Sequence, residues 1–518
     1  MEQPESESRP EPVVVTKVDH VKMKKSISLL HCTAILISVT GHISIFITPT
    51  AIFRYSESVG ISLLIWLIGG LINMGVCLCF TEMGTIYPKA GGGYAYVLKV
   101  FGDLPGFMIM FGYIMMICCP FWAFVAYIAS LYTLQPILGC RPTELGVKLL
   151  AAWILVTLVA LNCVYMKYIT KVQTFLSTTK IIALLIIITG GIIHLIQGET
   201  ENLENSFPTT AESLEPGNLA MAVFFSIFTY GGWQILCSLM EEVRDPGKDA
   251  PRAVCLSFII IVLKYILTNL AYFIVLSPQQ ILQTDAIAVI FTDMLYPSLT
   301  PVISVLVGVS CVGVLNASIM GHSRILFAGA RNGHAPLILG TLHVQFLTPW
   351  AAIIFMSAWS LVMLVTGGLT RLMEFIQIFS TILSIFVISA QLYLRKTQPD
   401  IKRPFKANLV MAVAVLAINI ILLIFCIIAA PDRIGLGLGV WLTSIPVYLV
   451  FVKWTSKPKG FNKVMGKYIL PNVVVVCYYI LHYLWYLTSK YTTTCSEFKL
   501  SLPCIVRLLQ LSISVYRN

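Results

Sequence analysis

Runs of about twenty apolar residues recur along almost the whole chain, and no other feature limits its fold as tightly. Twenty residues of α-helix rise about 30 Å, the thickness of a bilayer's hydrocarbon core. Lipid offers backbone N–H and C=O groups no partner, so each run is read as a helix that pairs them internally. The runs fall at about 28–50, 60–83, 106–134, 147–165, 175–197, 217–240, 254–276, 299–329, 349–369, 372–394, 408–430 and 434–452. They predict an all-α polytopic membrane protein of about twelve transmembrane helices. Only 11 % of residues are charged, against about 25 % in soluble chains. A soluble multidomain enzyme and a disordered chain are both excluded. A further apolar run at about 469–488 is open to three readings: an interfacial helix, a thirteenth span, or an atypical tail.

Charge sets the expected orientation. With the amino terminus in the cytosol, 24 Lys and Arg fall in inner loops and five in outer ones, Arg54, Arg141, Lys148, Arg371 and Arg433. Positive residues favour the cytosolic side, so this orientation is expected. The net charge of +11 then reflects loops rather than a nucleic-acid surface. The first 25 residues are polar and lack a cleavable apolar region, so the first span is expected to act as an uncleaved signal anchor. The loop at 198–216 carries five Glu and no Lys or Arg and reads as a solvated outer loop. No outer loop holds a glycosylation sequon; Asn316-Ala317-Ser318 lies inside the eighth span. Most of the 14 Cys, such as Cys77, Cys118 and Cys311, sit within apolar runs as small hydrophobes. None has zinc-ligand spacing, and no metal or cofactor is expected.

Two spans are interrupted. The first reads Ser38-Val39-Thr40-Gly41-His42-Ile43-Ser44, and the sixth Phe228-Thr229-Tyr230-Gly231-Gly232-Trp233-Gln234. Glycine weakens a helix, although it also serves plain packing in membranes. The two breaks lie five spans apart. A five-helix repeat crosses an odd number of times, so its second copy must be inverted, and matched breaks in inverted halves point to a transporter's midplane site. Half-helix ends expose N–H groups at one end and carbonyls at the other. A zwitterion satisfies both, and an amino acid has that shape.

Ionisable residues within spans need a reason. Lys180, near the inner end of the fifth span, either snorkels or is buried. Glu82 ends the second span and is expected to be a solvated helix terminus. Lys264 lies mid-span in the seventh with no evident acidic partner. His42 is either a neutral packed group or a pH-sensitive one. No second catalytic group accompanies His42 or His194, so a membrane-embedded enzyme is not expected. Nor does any filter-like segment suggest a channel. Cys140, in the outer loop Gly139-Cys140-Arg141-Pro142, has no evident partner in the chain. It is either a free or adducted thiol or a bridge to another chain.

Several segments, in order, resemble a known family. They are Ile45-Phe46-Ile47-Thr48-Pro49; Phe80-Thr81-Glu82-Met83-Gly84-Thr85 with Pro88-Lys89-Ala90-Gly91-Gly92-Gly93-Tyr94; Tyr230-Gly231-Gly232-Trp233; Glu241-Glu242-Val243-Arg244-Asp245-Pro246; Arg324 with Ala330-Arg331-Asn332-Gly333-His334; and Lys402-Arg403-Pro404. From about 28 to 465 the chain resembles the light (catalytic) subunits of the heteromeric amino acid transporters, in the amino acid–polyamine–organocation superfamily. The L-type carriers and the carrier of basic amino acids and cystine are the most similar group.

The resemblance implies a LeuT-type 5+5 inverted repeat and amino acid exchange. Residues 1–27 would be a cytosolic segment and 28–452 the transporter domain. Its repeats would span about 28–197 and 217–394, with helices 11 and 12 at about 408–452 and an atypical cytosolic or membrane-associated tail at 453–518. Substrate-binding positions would be Gly41, His42, Ile43, Ser44, Phe228, Tyr230, Gly231 and Gly232, with Phe228 as an aromatic lid. Gly231 stands where the carrier of basic amino acids has an Asp, so large neutral or aromatic amino acids are the expected cargo. The Lys180 ammonium would replace a sodium ion, which makes transport sodium-independent. Cys140 would form a disulfide to a single-span glycoprotein heavy chain at the plasma membrane. The chain departs from the family at His42-Ile43-Ser44, where the family has Gly-Ser/Ala/Thr-Gly. Side chains there crowd a bound carboxylate, which keeps a transport-silent partner of the heavy chain as an alternative.

Overall fold

The computed structural model describes residues 27–40, 43–88, 91–139, 142–164, 166–198, 201–203, 206–207, 215–240, 242–342 and 348–454. Gly41, His42, Cys140 and the tail with its 469–488 run lie outside the described residues. Among the described residues the chain is helical, and the one extended pairing is an isolated bridge between Ile27 and Val243.

The first span is broken into α1 (Leu29–Val39), a 3-10 turn at Ile43–Phe46 and α2 (Thr48–Ser56). Next come α3 (Val59–Ile86), α4 (Gly92–Phe101), α5 (Asp103–Gly112) and α6 (Cys119–Leu138), followed by α7 (Glu144–Val164) and α8 (Met166–Ile196). The sixth span is divided into α9 (Pro216–Thr229) and α10 (Ile235–Ser238). Beyond it lie α11 (Asp249–Val275), α12 (Pro278–Leu282), α13 (Ile287–Leu295), α14 (Thr300–Arg331), α15 (Trp350–Thr366), α16 (Leu369–Thr397), α17 (Leu409–Ala429) and α18 (Pro431–Leu442). Among the described residues, ten helical segments are long and apolar enough to cross a membrane, and the shorter apolar helices α9 and α15 match the sixth and ninth expected spans. The chain is a multi-pass membrane protein.

Three features went unread in the sequence. The segment between the second and third spans folds as α4, and α12 and α13 build the loop before α14. Between α5 and α6 the helix widens into a π-turn at Tyr113–Cys118, where the Cys119 N–H bonds to the Ile114 carbonyl five residues back. Pro120 has no N–H to continue the regular ladder, which accounts for the wide turn.

Around the broken spans, α1 packs on α11, α2 and α3 pack on α9, and α6 packs on α14. The closeness of α3 to α9 depends on Gly69, where an added Cβ would sit 2.1 Å from Ser226 Oγ. On the face that carries most of the Lys and Arg, the basic face, the Ile27 N–H donates to the Glu242 carbonyl (3.1 Å). In return the Arg244 N–H donates to the Ile27 carbonyl (3.0 Å). The chain entering the first span is thereby tied to the chain leaving the sixth.

One local expectation is refined and one is corrected. Parts of the 198–216 loop pack on the helices beneath: Asn202 Nδ2 donates to the Ile274 carbonyl (3.0 Å) and the Ser58 hydroxyl to the Ser206 carbonyl (2.6 Å). Glu82 is no solvated terminus but is completely buried. Its carboxylate accepts from Gln391 Nε2 (2.7 Å), from the Arg395 guanidinium and from the Ala407 N–H (2.8 Å). A carboxylate leaves water only when charge and hydrogen bonds replace it, and Arg395 and Gln391 of α16 supply both. Asn316, the one sequon residue, is buried and accepts from Asn162 Nδ2 at 2.8 Å.

Candidate functional site at two helix breaks

The second break is built by its glycines. The Tyr230 and Gly231 N–H groups close tight bonds to the carbonyls of Ile227 (3.2 Å) and Phe228 (3.1 Å), which ends α9. Gly232 then adopts a φ of +100°, which is costly for any residue with a Cβ. Its N–H is met by Gln234 Oε1 (3.0 Å), and the chain resumes as α10. Trp233 anchors the break from outside: its Nε1 donates to Asn73 Oδ1 (3.1 Å), and Asn73 Nδ2 donates to the Ile227 carbonyl (3.1 Å).

The two breaks are joined. Thr229 Oγ1 donates to Thr48 Oγ1 (2.9 Å), and Thr48 Oγ1 donates to the Ser44 carbonyl (2.9 Å). On the other flank, the Tyr132 hydroxyl donates to the Phe46 carbonyl (2.8 Å). Ile43 and Ser44 are both wholly buried in the 3-10 turn. Thr40 Oγ1 and Ser44 Oγ, on either side of Gly41 and His42, are buried with no hydrogen-bond partner among the described residues. Unpaired buried hydroxyls are costly, so the first break offers polar capacity to a further group.

Phe228 is buried, and its ring meets Phe124 of α6 edge-on at 5.3 Å. The sequence reading gave no role to Phe124, Thr48 or Tyr132, whose parts depend on contacts across helices. Tyr230 differs from the rest of the set. Its hydroxyl donates to the Trp66 carbonyl (2.9 Å) and its ring packs against Trp66 and Tyr265, so its side chain belongs to the junction of α3 and α11.

Lys180 on α8 is buried rather than snorkelling, and its Nζ donates to the Ser38 carbonyl at 2.7 Å. Ser38 sits in the last turn of α1, just before the break. An ammonium therefore occupies the carbonyl-rich end of a half-helix, where the helix dipole favours a cation. No cluster of His, Cys, Asp and Glu suited to a metal occurs among the described residues.

Beneath the second break, Phe80, Tyr94, Tyr113, Gln234, Cys237 and Leu383 line a cavity of about 30 Å³. That is room for one or two waters and not for an amino acid. At the basic face the Tyr94 hydroxyl pairs with His334 Nδ1 (2.8 Å) and accepts from Asn332 Nδ2 (3.3 Å), tying α4 to the end of α14. Burial holds the His334 pKa below the usual histidine value, with Asp103 opposing the effect.

Residues 27–452 match the amino acid permease family. The chain belongs to that family. It is 35 % identical over 462 residues to the "Large neutral amino acids transporter small subunit 2" of Mus musculus, covering 89 % of this chain and 87 % of the relative. It is 31 % identical to the "Cystine/glutamate transporter" of Homo sapiens (88 % and 91 % covered). Identity to the "Asc-type amino acid transporter 1" of Mus musculus is 34 % (86 % and 84 % covered). The resemblance drawn from the motifs to light subunits of amino acid transporters is borne out. Membership in the permease family makes this chain a transporter-type protein rather than an enzyme.

Proposed function

We propose that the chain exchanges neutral amino acids, large or aromatic ones above all, across the membrane without sodium. The observation that carries this reading is the joining of two helix breaks through Thr48 and Thr229, with Lys180 seated on the Ser38 carbonyl. In this reading the substrate carboxylate meets the first break at 41–44 and the ammonium meets the carbonyl end of α9. Phe228 closes over the side chain beside Gly231 and Gly232. The Lys180 ammonium does the electrostatic work of a sodium ion. Residues 28–197 and 217–394 form the two inverted repeats, which rock about the breaks and expose the site to each side in turn. The amino terminus is cytosolic, and the protein works at the plasma membrane through a Cys140 disulfide to a single-span glycoprotein heavy chain. The relatives' printed names, which include neutral amino acids and cystine/glutamate, support the substrate class at the level of amino acids.

The test is uptake of labelled leucine, tyrosine, arginine and glutamate in sodium-free medium, with the heavy chain co-expressed and Cys140→Ser as a control on non-reducing gels. Leucine or tyrosine uptake that rises when cells are preloaded with amino acid is expected. Uptake indifferent to preloading would reject exchange. A second reading is carried by Ile43, whose buried side chain stands at the break where the family has a small residue: a transport-silent relative that binds the heavy chain. It requires a disulfide-linked surface complex with no uptake of any of the four.

A further inference from the structure

Among the described residues, two buried acids have cationic partners. Glu82 is paired with Arg395, and Glu374 with Arg433 at 3.1 Å. Lys264 is paired with neither of those acids. Lys264 lies mid-way along α11, its stem part-exposed and its Nζ buried. The Nζ sits 4.8 Å from the centroid of the Tyr265 ring and has no hydrogen-bond partner among the described residues.

Two more donors are stranded beside it. The Tyr265 hydroxyl and Trp66 Nε1 are buried and unpaired among the described residues. The Trp66 and Tyr265 rings meet edge-on at 5.7 Å, and Tyr230 packs on both. A cation over one aromatic face recovers only part of what an ion loses on leaving water. Three donors without partners among the described residues, one of them cationic, therefore share one junction.

We infer that the junction of α3, α9 and α11 binds a small monovalent anion, a halide or a carboxylate, against Lys264. Three donors are too few to replace the hydration of a divalent oxyanion such as phosphate or sulfate. The anion would neutralise Lys264 and hold α11 to the second break through Tyr230. Where the anion is a carboxylate, the inference rests on the transporter reading above, because an acidic side chain of the cargo is then its source. A halide would be a fixed constituent independent of that reading.

The test is thermal unfolding of the purified full-length chain with its heavy chain, in methanesulfonate buffer, titrated with chloride, with glutamate or with leucine. A rise in the melting midpoint with chloride assigns a halide. A rise with glutamate and none with leucine or chloride assigns a side-chain carboxylate. In Lys264→Met the apparent affinity for that anion should fall at least tenfold, and Lys264→Arg should restore most of it. A wild-type midpoint that moves with neither anion would overturn the inference, as would equal shifts in the wild type and Lys264→Met. Sodium-free leucine uptake by the same proteins reports on the transporter reading separately, since the melting response needs no transport.

Discussion

Removing the Glu82 carboxylate is the most informative perturbation of the fold, because its consequences follow from a few contacts. Glu82 on α3 binds Gln391 and Arg395 of α16 and the Ala407 N–H just before α17, which joins three segments at the basic face. Arg395 is nearly buried, with 10 % of its side chain exposed, and its other contact is the Ala407 carbonyl. Glu82→Ala therefore strands a guanidinium in a low-dielectric site and should cost about 3–5 kcal/mol. Arg395→Ala strands the carboxylate and should cost a similar amount. The double replacement Glu82→Leu with Arg395→Leu leaves neither charge behind, so its cost should fall well below the sum of the single changes. Arg403 contributes less to this coupling. It lies 3.8 Å from Glu82, and its guanidinium already caps the carbonyls of Leu394 and Gln398 at the end of α16. The assay is the midpoint of heat-induced loss of the monodisperse peak in detergent, together with membrane abundance, which shifts several-fold for changes of 1–2 kcal/mol. Strictly additive costs, or a Glu82→Ala protein as stable as wild type, would refute the reasoning.

Three further outcomes follow from the sites described. Phe228→Leu keeps most of the apolar volume but loses the edge-on contact with Phe124, worth about 0.5–1.5 kcal/mol. Uptake should drop by up to roughly tenfold at unchanged surface level, and a matching loss of surface protein would point to folding instead. Gly232→Ala must place a Cβ at a φ of +100° and should cost about 1–2 kcal/mol, read as a lower melting midpoint with reduced uptake; an unchanged midpoint would contradict the assigned backbone. His334 is held neutral by burial, so its folded pKa lies below its unfolded one. Its contribution to stability is complete above the unfolded value of about 6.5 and is lost as pH falls from there through the folded value. His334→Gln should flatten that acid limb of the melting profile, and an unaltered limb would show that another group titrates there.

The membrane-spanning helices and both breaks were legible because they depend on local chemistry. Twenty-residue apolar runs gave the spans, and Gly231-Gly232 marked the sixth-span break within a residue or two of where α9 ends. Glu82 was misread because its partners lie 309 and 313 positions away on α16. A carboxylate at the end of a span looks the same in sequence whether water or a guanidinium meets it. Lys180 was ambiguous for the same reason: snorkelling and burial differ only in whether a carbonyl such as that of Ser38 waits nearby. The π-turn at Tyr113–Cys118 had a local signal in Pro120, but its apolar neighbours made it resemble uninterrupted helix. Tyr230 was grouped with its neighbours by position, whereas its side chain follows the geometry of Trp66 and Tyr265. Thr48 and Thr229 show the same limit, since neither hydroxyl has meaning until the two broken spans lie side by side.

Obligatory exchange is the central claim, and counter-flow in reconstituted vesicles tests it most directly. Proteoliposomes holding the full chain and the proposed heavy chain would be loaded with labelled leucine and diluted into sodium-free buffer. Label should stay inside until unlabelled leucine or tyrosine is added outside, then leave at a rate that sodium does not change. Release of label at the same rate without any external amino acid, or only when sodium is present, would contradict the account.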